Sequence, residues 1–311
     1  MKLIKDPVEN IGLEICAAIG IFDGVHIGHK SIIQLVRDSA VDDGLSSCLI
    51  TFNPHPQEVI TRKELPLIVP FRERLRLLEQ EKLDVTVCFN FTREFSELSA
   101  EEFISRILVG RLNLKKLFIG PDFVFGKNRT GNTDLLLELG KQLGFETKIV
   151  SQVTKNGIPV SSTLIRNLLS EGKIEIANEY LGRTYSIEGT VTEGEKRGRI
   201  LGFPTTNLST DWKFLPKEGV YITLANVSGN KHQSITNIGY RPTFGDNGLL
   251  IETHIFDFSE EIYGNDIRVE FLKRLRDEKK FSGIDELKSA ISADILNARK
   301  YFDEHGKGLI Q

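Results

Sequence analysis

Two histidines stand three residues apart, behind an apolar run and each beside or between glycines, in the stretch "IGIFDGVHIGH" of residues 19–29. His26 and His29 belong to a chain with only six histidines. At this spacing both imidazoles project from one side of a first helical turn, where they can stabilise charge that builds on a phosphate in transfer. For the pair alone, two other interpretations stay open: ordinary histidines at a helix start, or a zinc pair, which the lack of a suitable third ligand nearby disfavours.

The residues around the pair favour an anion site. A strand that ends in a glycine-bearing turn and opens a helix presents free backbone N–H groups and the positive helix end to an anion. Gly24 and Gly28 would let the chain approach a phosphate closely. Further along, Ser161 and Ser162 can cap a helix start and donate to phosphate oxygens, which the fork of donors on Arg166 can also bind. Capping alone explains the hydroxyls but not the arginine.

A second group of candidates lies in the glycine-rich, basic stretch "GTVTEGEKRGRILGFPTTNL" of residues 189–208. Its backbone amides and its arginines can cradle a polyphosphate. The Thr205 hydroxyl and the Asn207 amide carbonyl are hard oxygen ligands, which suit Mg²⁺ bridged to phosphates. The loop residues predicted to contact the nucleotide are Gly194, Arg199, Gly202 and Pro204. The alternative is a tight turn that Asn207 caps.

The first half of the chain must position the histidines. It alternates amphipathic helical segments with apolar runs such as "EICAAIGIF", "SSCLITFN", "DVTVCFNF", "LKKLFIG" and "ETKIVSQV", which predict strands. This alternation predicts an α/β fold with a parallel sheet covered by helices. In such a sheet the carboxyl end of the first strand is where a nucleotide would bind. Ser99 and Glu102 have the spacing of a capping box at one helix start.

The second half has a different pattern. Near residue 183 it changes to strand-like runs separated by Gly, Asn and Asp turns, typical of an antiparallel barrel or sandwich. A final amphipathic run over residues 283–306 predicts a closing helix. The face that this helix should bury carries Leu287, Ile291, Ile295 and Leu296. We predict two domains, residues 1–182 and residues 183–311, with the boundary at Gly182.

Composition excludes several classes of protein. A net charge of −3 gives no electrostatic footprint for nucleic acid. No apolar run approaches the ~20 residues that span a bilayer, and the amino terminus lacks the apolar core of a signal peptide, so we expect a cytoplasmic protein without a membrane partner. Cys16, Cys48 and Cys88 lie in apolar, strand-like segments and should be buried free thiols. The oligomeric state is not determined by the sequence, and a homo-oligomer stays open.

The segment with both histidines resembles the HxGH signature of the nucleotidylyltransferase superfamily, whose members attack the α-phosphate of ATP and release pyrophosphate. The segments "TFNPHP", "FIGPDFVFGKNRTG" and "SSTLIR" follow in the order and spacing seen in the FMN adenylyltransferase module of bacterial bifunctional FAD synthetases. The resemblance continues through "PTTN", "NIGYRPTFG" and "ETHIFDF" into the riboflavin kinase module of the same enzymes, and it covers nearly the whole chain.

For the first half, the resemblance implies a Rossmann-like nucleotidylyltransferase domain that adenylylates FMN to FAD. His26 and His29 would then act on the ATP phosphates and the transition state, while Ser161, Ser162 and Arg166 close over the triphosphate. The other residues implied in nucleotide binding are Gly20, Phe22, Asp23, Gly24 and Gly28. Those implied in lining the flavin cleft are Asn53, His55 and Asp122.

For the second half, the resemblance implies a six-stranded antiparallel β-barrel with a C-terminal helix that phosphorylates riboflavin to FMN. Thr205 and Asn207 take the Mg–ATP role, and Glu252 takes the place of the catalytic glutamate that accepts the proton of the attacking alcohol. From its pattern alone Glu252 would be a solvent-facing strand residue, and we interpret His254 and Asp257 as structural. Mg²⁺ is the implied cofactor, and ATP, riboflavin and FMN are the implied substrates.

Three positions depart from the family's usual pattern. Val124 stands where arginine is usual, Val69 where threonine is common, and Asn53 where an acidic residue is frequent. These departures leave open a riboflavin kinase with weak or lost adenylyltransferase activity. A flavin-responsive regulatory protein on the same fold is a separate alternative, which the retained histidines, the "PTTN" segment and Glu252 disfavour. A third, tRNA aminoacylation, needs an anticodon-binding module and basic surfaces that we do not find in the sequence.

Overall fold

A computed structural model describes residues 1–193, 202–240 and 249–306 of the chain. The chain divides into two compact units, Met1–Ser162 and Thr163–Gln311. Each unit has its own hydrophobic core. Among the described residues, no helix combines the length and apolar character needed to cross a membrane.

The first unit is built on a six-stranded sheet in which all neighbouring strands run parallel. Its strands are β1 (Lys2–Lys5), β2 (Ile15–Ile19), β3 (Ser46–Phe52), β4 (Val85–Phe89), β5 (Leu114–Ile119) and β6 (Glu146–Ile149). Their order across the sheet is β1, β4, β3, β2, β5, β6, which confirms the predicted parallel sheet. The strand prediction omitted β1, because this edge strand is almost entirely exposed and has no apolar run.

Helices cover this sheet. They are α1 (Ile27–Asp43), α2 (Pro56–Thr61), α3 (Phe71–Gln80), α4 (Arg93–Ser96), α5 (Ala100–Glu102) and α6 (Thr133–Leu143). The predicted capping box is confirmed, since Ser99 Oγ accepts from the Glu102 amide and the Glu102 carboxylate accepts from the Ser99 amide, each at 3.1 Å. The helix that it opens continues as a π-helix over Phe103–Arg111. A short 3₁₀ turn (Lys127–Arg129) and the hairpin β7 (Thr154–Lys155) and β8 (Ile158–Pro159) complete the unit.

The central strand β2 determines where the loops of this unit gather. All of its residues are buried, and it lies between β3 and β5. Because these three strands run parallel, the loops that follow Ile19, Phe52 and Ile119 leave the sheet at the same edge. The predicted histidine turn and the predicted flavin residues are on these loops.

The second unit is a closed antiparallel barrel of six strands. They are β9 (Tyr185–Thr192), β10 (Thr206–Ser209), β11 (Gly219–Val227), β12 (Asn230–Tyr240), β13 (Leu249–Ile255) and β14 (Asp266–Arg276). The order around the barrel is β10, β13, β12, β11, β14, β9. Burial along β9 alternates residue by residue, as expected for a strand with one face toward the barrel interior. This confirms the predicted six-stranded barrel.

Three helices precede or follow the barrel strands along the chain. They are α7 (Ser162–Ser170), α8 (Ile174–Leu181) and α9 (Ile284–His305). α8 is tied to two strands by Asn178, whose side-chain amide donates to the Phe271 carbonyl at 2.8 Å and accepts from the Tyr185 amide at 2.7 Å. The compact second unit therefore begins before Gly182. The functional boundary at Gly182 stays a prediction.

The closing helix α9 buries Ala298 and Phe302. Of the residues predicted for its buried face, Leu287, Ile291 and Ile295 are half-buried. The prediction for Leu296 was wrong, since 70% of this residue is exposed. Adjacent helix positions lie about 100° apart, so a stripe that follows Ile291, Ile295 and Ala298 turns Leu296 away from the barrel.

The prediction of three buried free thiols is confirmed, because Cys16, Cys48 and Cys88 are buried and form no disulfide. Burial raises the pKa of Cys16 to about 11, and it also raises the pKa of Cys48 and of Cys88. These thiols stay protonated at neutral pH, which makes them poor nucleophiles.

The contacts of α8 predict the stability of barrel fragments. The fragment Thr163–Gln311 should be more stable than Arg183–Gln311 by at least about 2 kcal/mol, because removing α8 exposes apolar surface and leaves two backbone groups without Asn178. Trp212 is buried in this unit and is the only tryptophan of the chain, so its fluorescence reports barrel unfolding in urea. Equal unfolding midpoints for the two fragments would contradict a structural role for α8.

Candidate active sites

The residues after β2 form a tight turn at the carboxyl edge of the first sheet. Three of them have left-handed backbone, with φ of 59° at Phe22, 77° at Gly24 and 41° at Val25. Such angles are strained for Phe22 and Val25, and they persist only when packing holds them. Both side chains are buried. The fold therefore holds this turn in one conformation, as a binding site for a reacting phosphate requires.

The turn brings the two histidines together, as predicted. Their rings stack with centroids 3.5 Å apart and an interplanar angle of 14°. His26 is the N-cap of α1, and its Nδ1 accepts from the His29 amide at 3.2 Å. Because Nδ1 is an acceptor, neutral His26 carries its proton on Nε2, which is the nitrogen that can donate to an anion. The ring of Phe22 lies 5.0 Å from that of His29.

Asp23 holds the turn to a second loop. Its two carboxylate oxygens accept from the Ile68 amide at 2.9 and 3.1 Å, and the residue is buried. The carbonyl of Asp23 accepts from Ser162 Oγ at 3.0 Å. Ser162 is thus joined to the histidine turn, in agreement with their predicted participation in one site. These contacts give Asp23 a place in shaping the nucleotide site, whereas direct contact with a nucleotide stays a prediction.

The glycines of the turn make room for the protein's own side chains. A Cβ on Gly24, which already needs positive φ, would lie 2.8 Å from the Ile68 side chain. A Cβ on Gly28 would lie 3.2 Å from the His26 ring. The predicted reason, close approach of the chain to a phosphate, is therefore not needed to explain these two glycines. Gly20 lies directly after β2, beside the Phe22 ring.

The predicted flavin residues follow neighbouring strands of the sheet. Asn53, whose backbone amide donates to the Phe89 carbonyl at 3.0 Å, comes directly after β3. His55 caps α2, since its Nδ1 accepts from the Gln57 amide at 3.0 Å. Asp122 is exposed in the loop after β5. The topology places all three at the edge that carries the histidine turn, and their contacts with flavin stay predictions.

Ser161 and Arg166 flank the start of α7. Ser161 is half-buried next to Ser162. In the second unit, Arg166 donates from Nη2 to Thr163 Oγ1 at 3.2 Å. The capping that the sequence suggested for the hydroxyls does not account for Arg166, whose role toward the triphosphate stays a prediction.

The sequence prediction missed a buried arginine. Arg74 donates to the Ile21 carbonyl and to the Phe52 carbonyl, each at 2.8 Å. The first carbonyl lies in the turn two residues after β2, and the second belongs to the last residue of β3. One signal was present in the sequence: Arg74 stands three and four residues before Leu77 and Leu78, on the apolar face of α3.

A cavity of about 660 Å³ opens on the second unit. Its lining includes Thr205, Asn207 and Glu252, so the structure gathers the predicted kinase residues at one site. The strand register explains this arrangement, because Glu252 on β13 lies opposite Asn207 on β10 and opposite Asn237 on β12. Glu252 is half-buried. The sequence pattern alone suggested a solvent-facing strand residue, whereas the structure places the Glu252 carboxylate in the lining of a cavity.

Thr236, next to Asn237, and Thr253, next to Glu252, are buried in the barrel. Hydroxyl groups there form a buried chain, in which Thr223 Oγ1 lies 2.8 Å from Ser234 Oγ and 2.9 Å from Thr236 Oγ1, which in turn lies 2.9 Å from Thr253 Oγ1. Thr206 Oγ1 donates to the Thr253 carbonyl at 3.2 Å. Hydrogen bonds inside the barrel therefore hold the strands whose other faces carry Asn207, Asn237 and Glu252.

His254 fixes the loop that enters β10. Its Nδ1 lies 2.7 Å from the Pro204 carbonyl, which can only accept, so Nδ1 is the protonated nitrogen. Burial lowers the pKa of His254 and favours this neutral form. The sequence interpretation of His254 as structural agrees with this contact, and the structure adds that it holds the residue before Thr205.

Two of the predicted nucleotide residues, Gly194 and Arg199, lie outside the described residues. Gly202 is exposed, with φ of 88°, and Pro204 is also exposed. Asn237 and Glu278 were not predicted, although both line the cavity. Asn237 stood in the quoted motif "NIGYRPTFG", but nothing in the sequence pointed to Glu278.

The residues at this cavity fit a magnesium ion. Thr205 and Asn207, two positions apart, both line the cavity. They offer a hydroxyl and an amide carbonyl. Oxygen donors of this kind are the ligands that Mg²⁺ takes together with substrate phosphates.

The low pKa of His254 predicts a pH dependence of stability. The unfolded chain binds a proton near pH ~6.5 while the folded barrel resists it, so the contribution is complete above that pH and is lost as the pH falls. Between about pH 7 and about pH 5.5, urea unfolding followed by Trp212 fluorescence should show a smaller loss of stability for His254→Gln than for the parent. His305→Gln, at the exposed end of α9, is the control. Identical pH profiles for parent and His254→Gln would contradict this assignment.

Comparisons with known proteins cover both units. Residues 10–164 match the family described as FAD synthetase, and residues 181–302 match the family described as riboflavin kinase. A solved structure described as a macrolide-efflux protein from Streptococcus pneumoniae is similar, with a TM-score of 0.88 at 29% identity, and the match covers 96% of this chain and 99% of that chain.

Curated relatives match along nearly the whole length. A bifunctional riboflavin kinase/FMN adenylyltransferase of Buchnera aphidicola is 37% identical over 311 residues, which cover 98% of this chain and 99% of the relative. The protein so described from Bacillus subtilis is 38% identical over 292 residues, or 92% of each chain. This chain therefore belongs to the bifunctional riboflavin kinase/FMN adenylyltransferase family.

Proposed function

We propose that this chain converts riboflavin to FAD in two ATP-dependent steps, with riboflavin phosphorylation in the second unit and FMN adenylylation in the first. The observation that carries the proposal is the geometry of two groups of predicted residues, one in each unit. The first stacks His26 on His29 at the sheet edge, and the second brings Glu252 opposite Asn207 at a cavity.

In the kinase step, the ribityl hydroxyl of riboflavin attacks the γ-phosphorus of ATP. The new bond joins the hydroxyl oxygen to this phosphorus, and the bond from the phosphorus to the β–γ bridging oxygen breaks to release ADP. Glu252 accepts the hydroxyl proton, because a carboxylate within hydrogen-bond reach is suited to this task at neutral pH. Thr205 and Asn207 would hold Mg²⁺, which neutralises charge on the phosphates when it is bound.

In the adenylyl step, a phosphate oxygen of FMN attacks the α-phosphorus of ATP, and pyrophosphate leaves. Negative charge builds on the oxygens of the α-phosphate as the new bond forms. His26 Nε2–H and the amino terminus of α1 supply fixed donors and positive potential at this edge. Ser161 and Ser162 add hydroxyl donors that bind the triphosphate in this proposal.

One experiment tests the proposal. The pure protein is incubated with riboflavin, ATP and Mg²⁺, and the flavins are separated by chromatography. Formation of FMN followed by FAD supports both steps. Accumulation of FMN without FAD would instead favour the kinase with lost adenylyltransferase activity, and absence of both products would favour the regulatory protein. Repeating the incubation with EDTA in place of Mg²⁺ should stop both reactions if the ion is required.

His26 provides a test of the adenylyl step. His26→Ala should slow FAD formation from FMN by about 10²-fold or more, since it removes a donor to the charge that develops on the phosphate. His26→Asn, which keeps a side chain able to cap α1, should be slowed in the same way. Gln34→Ala, on the exposed face of α1, is the matched control. If riboflavin phosphorylation falls together with FAD formation, the loss comes from misfolding and this role for His26 fails.

Glu252 provides a test of the kinase step. Glu252→Gln keeps the shape of the side chain but cannot accept the proton, so FMN formation should fall by roughly 10²- to 10⁴-fold. Adenylylation of added FMN should continue, which controls for folding of the first unit, and unchanged urea unfolding by Trp212 fluorescence controls for folding of the barrel. Glu270→Gln, a half-buried strand residue paired with Lys231 at 3.0 Å, is the matched control. Parental kinase turnover in Glu252→Gln would exclude Glu252 as the base.

A further inference from the structure

Arg74 is buried where a charged side chain is costly. It lies on the apolar face of α3 and is only 3% exposed. Among the described residues, no carboxylate pairs with it, and its Nε–H is buried without a hydrogen-bond partner. The charges of Asp23 and Glu58 favour its charged form only through space. Burial of an arginine with an unsatisfied donor lowers stability, so stability alone does not explain this residue.

The two bonds that Arg74 does make join the turn after β2 to the last residue of the neighbouring strand β3. Nη1 donates to the Ile21 carbonyl and Nη2 to the Phe52 carbonyl, both at 2.8 Å. Thr51 Oγ1 donates to the same Ile21 carbonyl at 3.2 Å. The Arg74 Cζ atom lies over the Phe71 ring, 4.9 Å from the ring centroid, in a cation–π contact. A planar, rigid fork with both ends occupied sets the spacing between these carbonyls.

Each of these two carbonyls lies at the start of a loop at the carboxyl edge of the first sheet. Ile21 precedes Phe22, whose ring lies 5.0 Å from that of His29, so the first carbonyl leads into the histidine turn. Phe52 precedes Asn53 and His55, the residues predicted to line the flavin cleft. The guanidinium of Arg74 therefore connects the loop that acts on ATP with the loop assigned to the flavin.

We propose that Arg74 is a positioning residue for adenylyl transfer, whose guanidinium fixes the histidine turn relative to the Asn53–His55 loop and so sets the approach of the FMN phosphate to ATP. The proposal rests on the adenylyltransferase activity assigned to the first unit. It gives a reason for arginine at this position. Lysine would keep the charge but has no fork that holds two carbonyls at a fixed separation.

The first test compares variants of the full-length protein. Arg74→Lys should lower kcat for FMN adenylylation by about 10- to 100-fold, because small errors in the alignment of reacting groups cost this much. The KM values for ATP and FMN should change far less than kcat. Arg72→Lys, on the same helix and exposed, should behave like the parent. Riboflavin phosphorylation should be unchanged in every variant.

Chemical rescue separates positioning from stability. In Arg74→Ala, added guanidinium at low millimolar concentration should restore adenylylation several-fold, whereas methylammonium, which carries one nitrogen, should not. A variant that merely loses packing would not distinguish these two cations. If Arg74→Ala does not fold, the kcat and KM values of Arg74→Lys decide the proposal by themselves.

Three outcomes would overturn the proposal. They are parental kcat in Arg74→Lys, a loss of rate in Arg74→Lys that only mirrors a fall of its thermal midpoint below the assay temperature, and a folded Arg74→Ala that neither cation rescues. If the parent protein itself makes no FAD, the proposed function fails first. If the parent makes FAD and the Arg74 variants make it equally well, only the proposal for Arg74 fails.

Discussion

The bond between the Asp23 carboxylate and the Ile68 amide is the constraint on which the first active site depends. It joins a turn with left-handed backbone at Phe22 and Val25 to a separate loop of the chain. Loss of this bond would remove one of the contacts that offset the strain of the turn. His26 and His29 follow directly from this turn at the start of α1, so their position depends on it. The bond between Asp23 and Ile68 thus helps to fix the groups proposed to act on a phosphate.

The second site depends on the two-residue period of its strands. Thr253 is fully buried, with its hydroxyl 2.9 Å from Thr236 Oγ1, whereas the preceding residue, Glu252, is half-buried and lines the cavity. A slip of one residue in the register would place Glu252 in the interior and bury its charge. The buried hydroxyls oppose such a slip, because each would lose its partner. Interior hydrogen bonds and the position of the proposed base are therefore parts of one constraint.

Much of this arrangement was predictable, because local patterns determine it. Strand and helix alternation predicted the parallel sheet, and Ser99 with Glu102 marked a helix start. Turn spacing predicted an antiparallel barrel or sandwich, and the family resemblance implied the barrel. Contacts between distant segments were not predictable from one sequence. Arg74 resembled an ordinary surface charge, since its two acceptors are backbone carbonyls that no side-chain pattern reveals. The prediction that Leu296 is buried failed for a geometric reason, because the buried stripe of α9 passes beside this residue and leaves it exposed.

Two departures from the family's usual residues lie beside these constraints, and the contacts there use the backbone. Val69 is buried next to Ile68, but the Asp23 carboxylate accepts from the backbone amide of Ile68, which does not depend on the neighbouring side chain. Asn53 follows the Phe52 carbonyl that Arg74 binds, and its own amide donates to the main chain of β4. An asparagine there instead of an acidic residue removes a negative charge from the edge where two anionic substrates would meet. Neither change deletes a bond that shapes the site, so the geometry favours retention of adenylyl transfer over its loss.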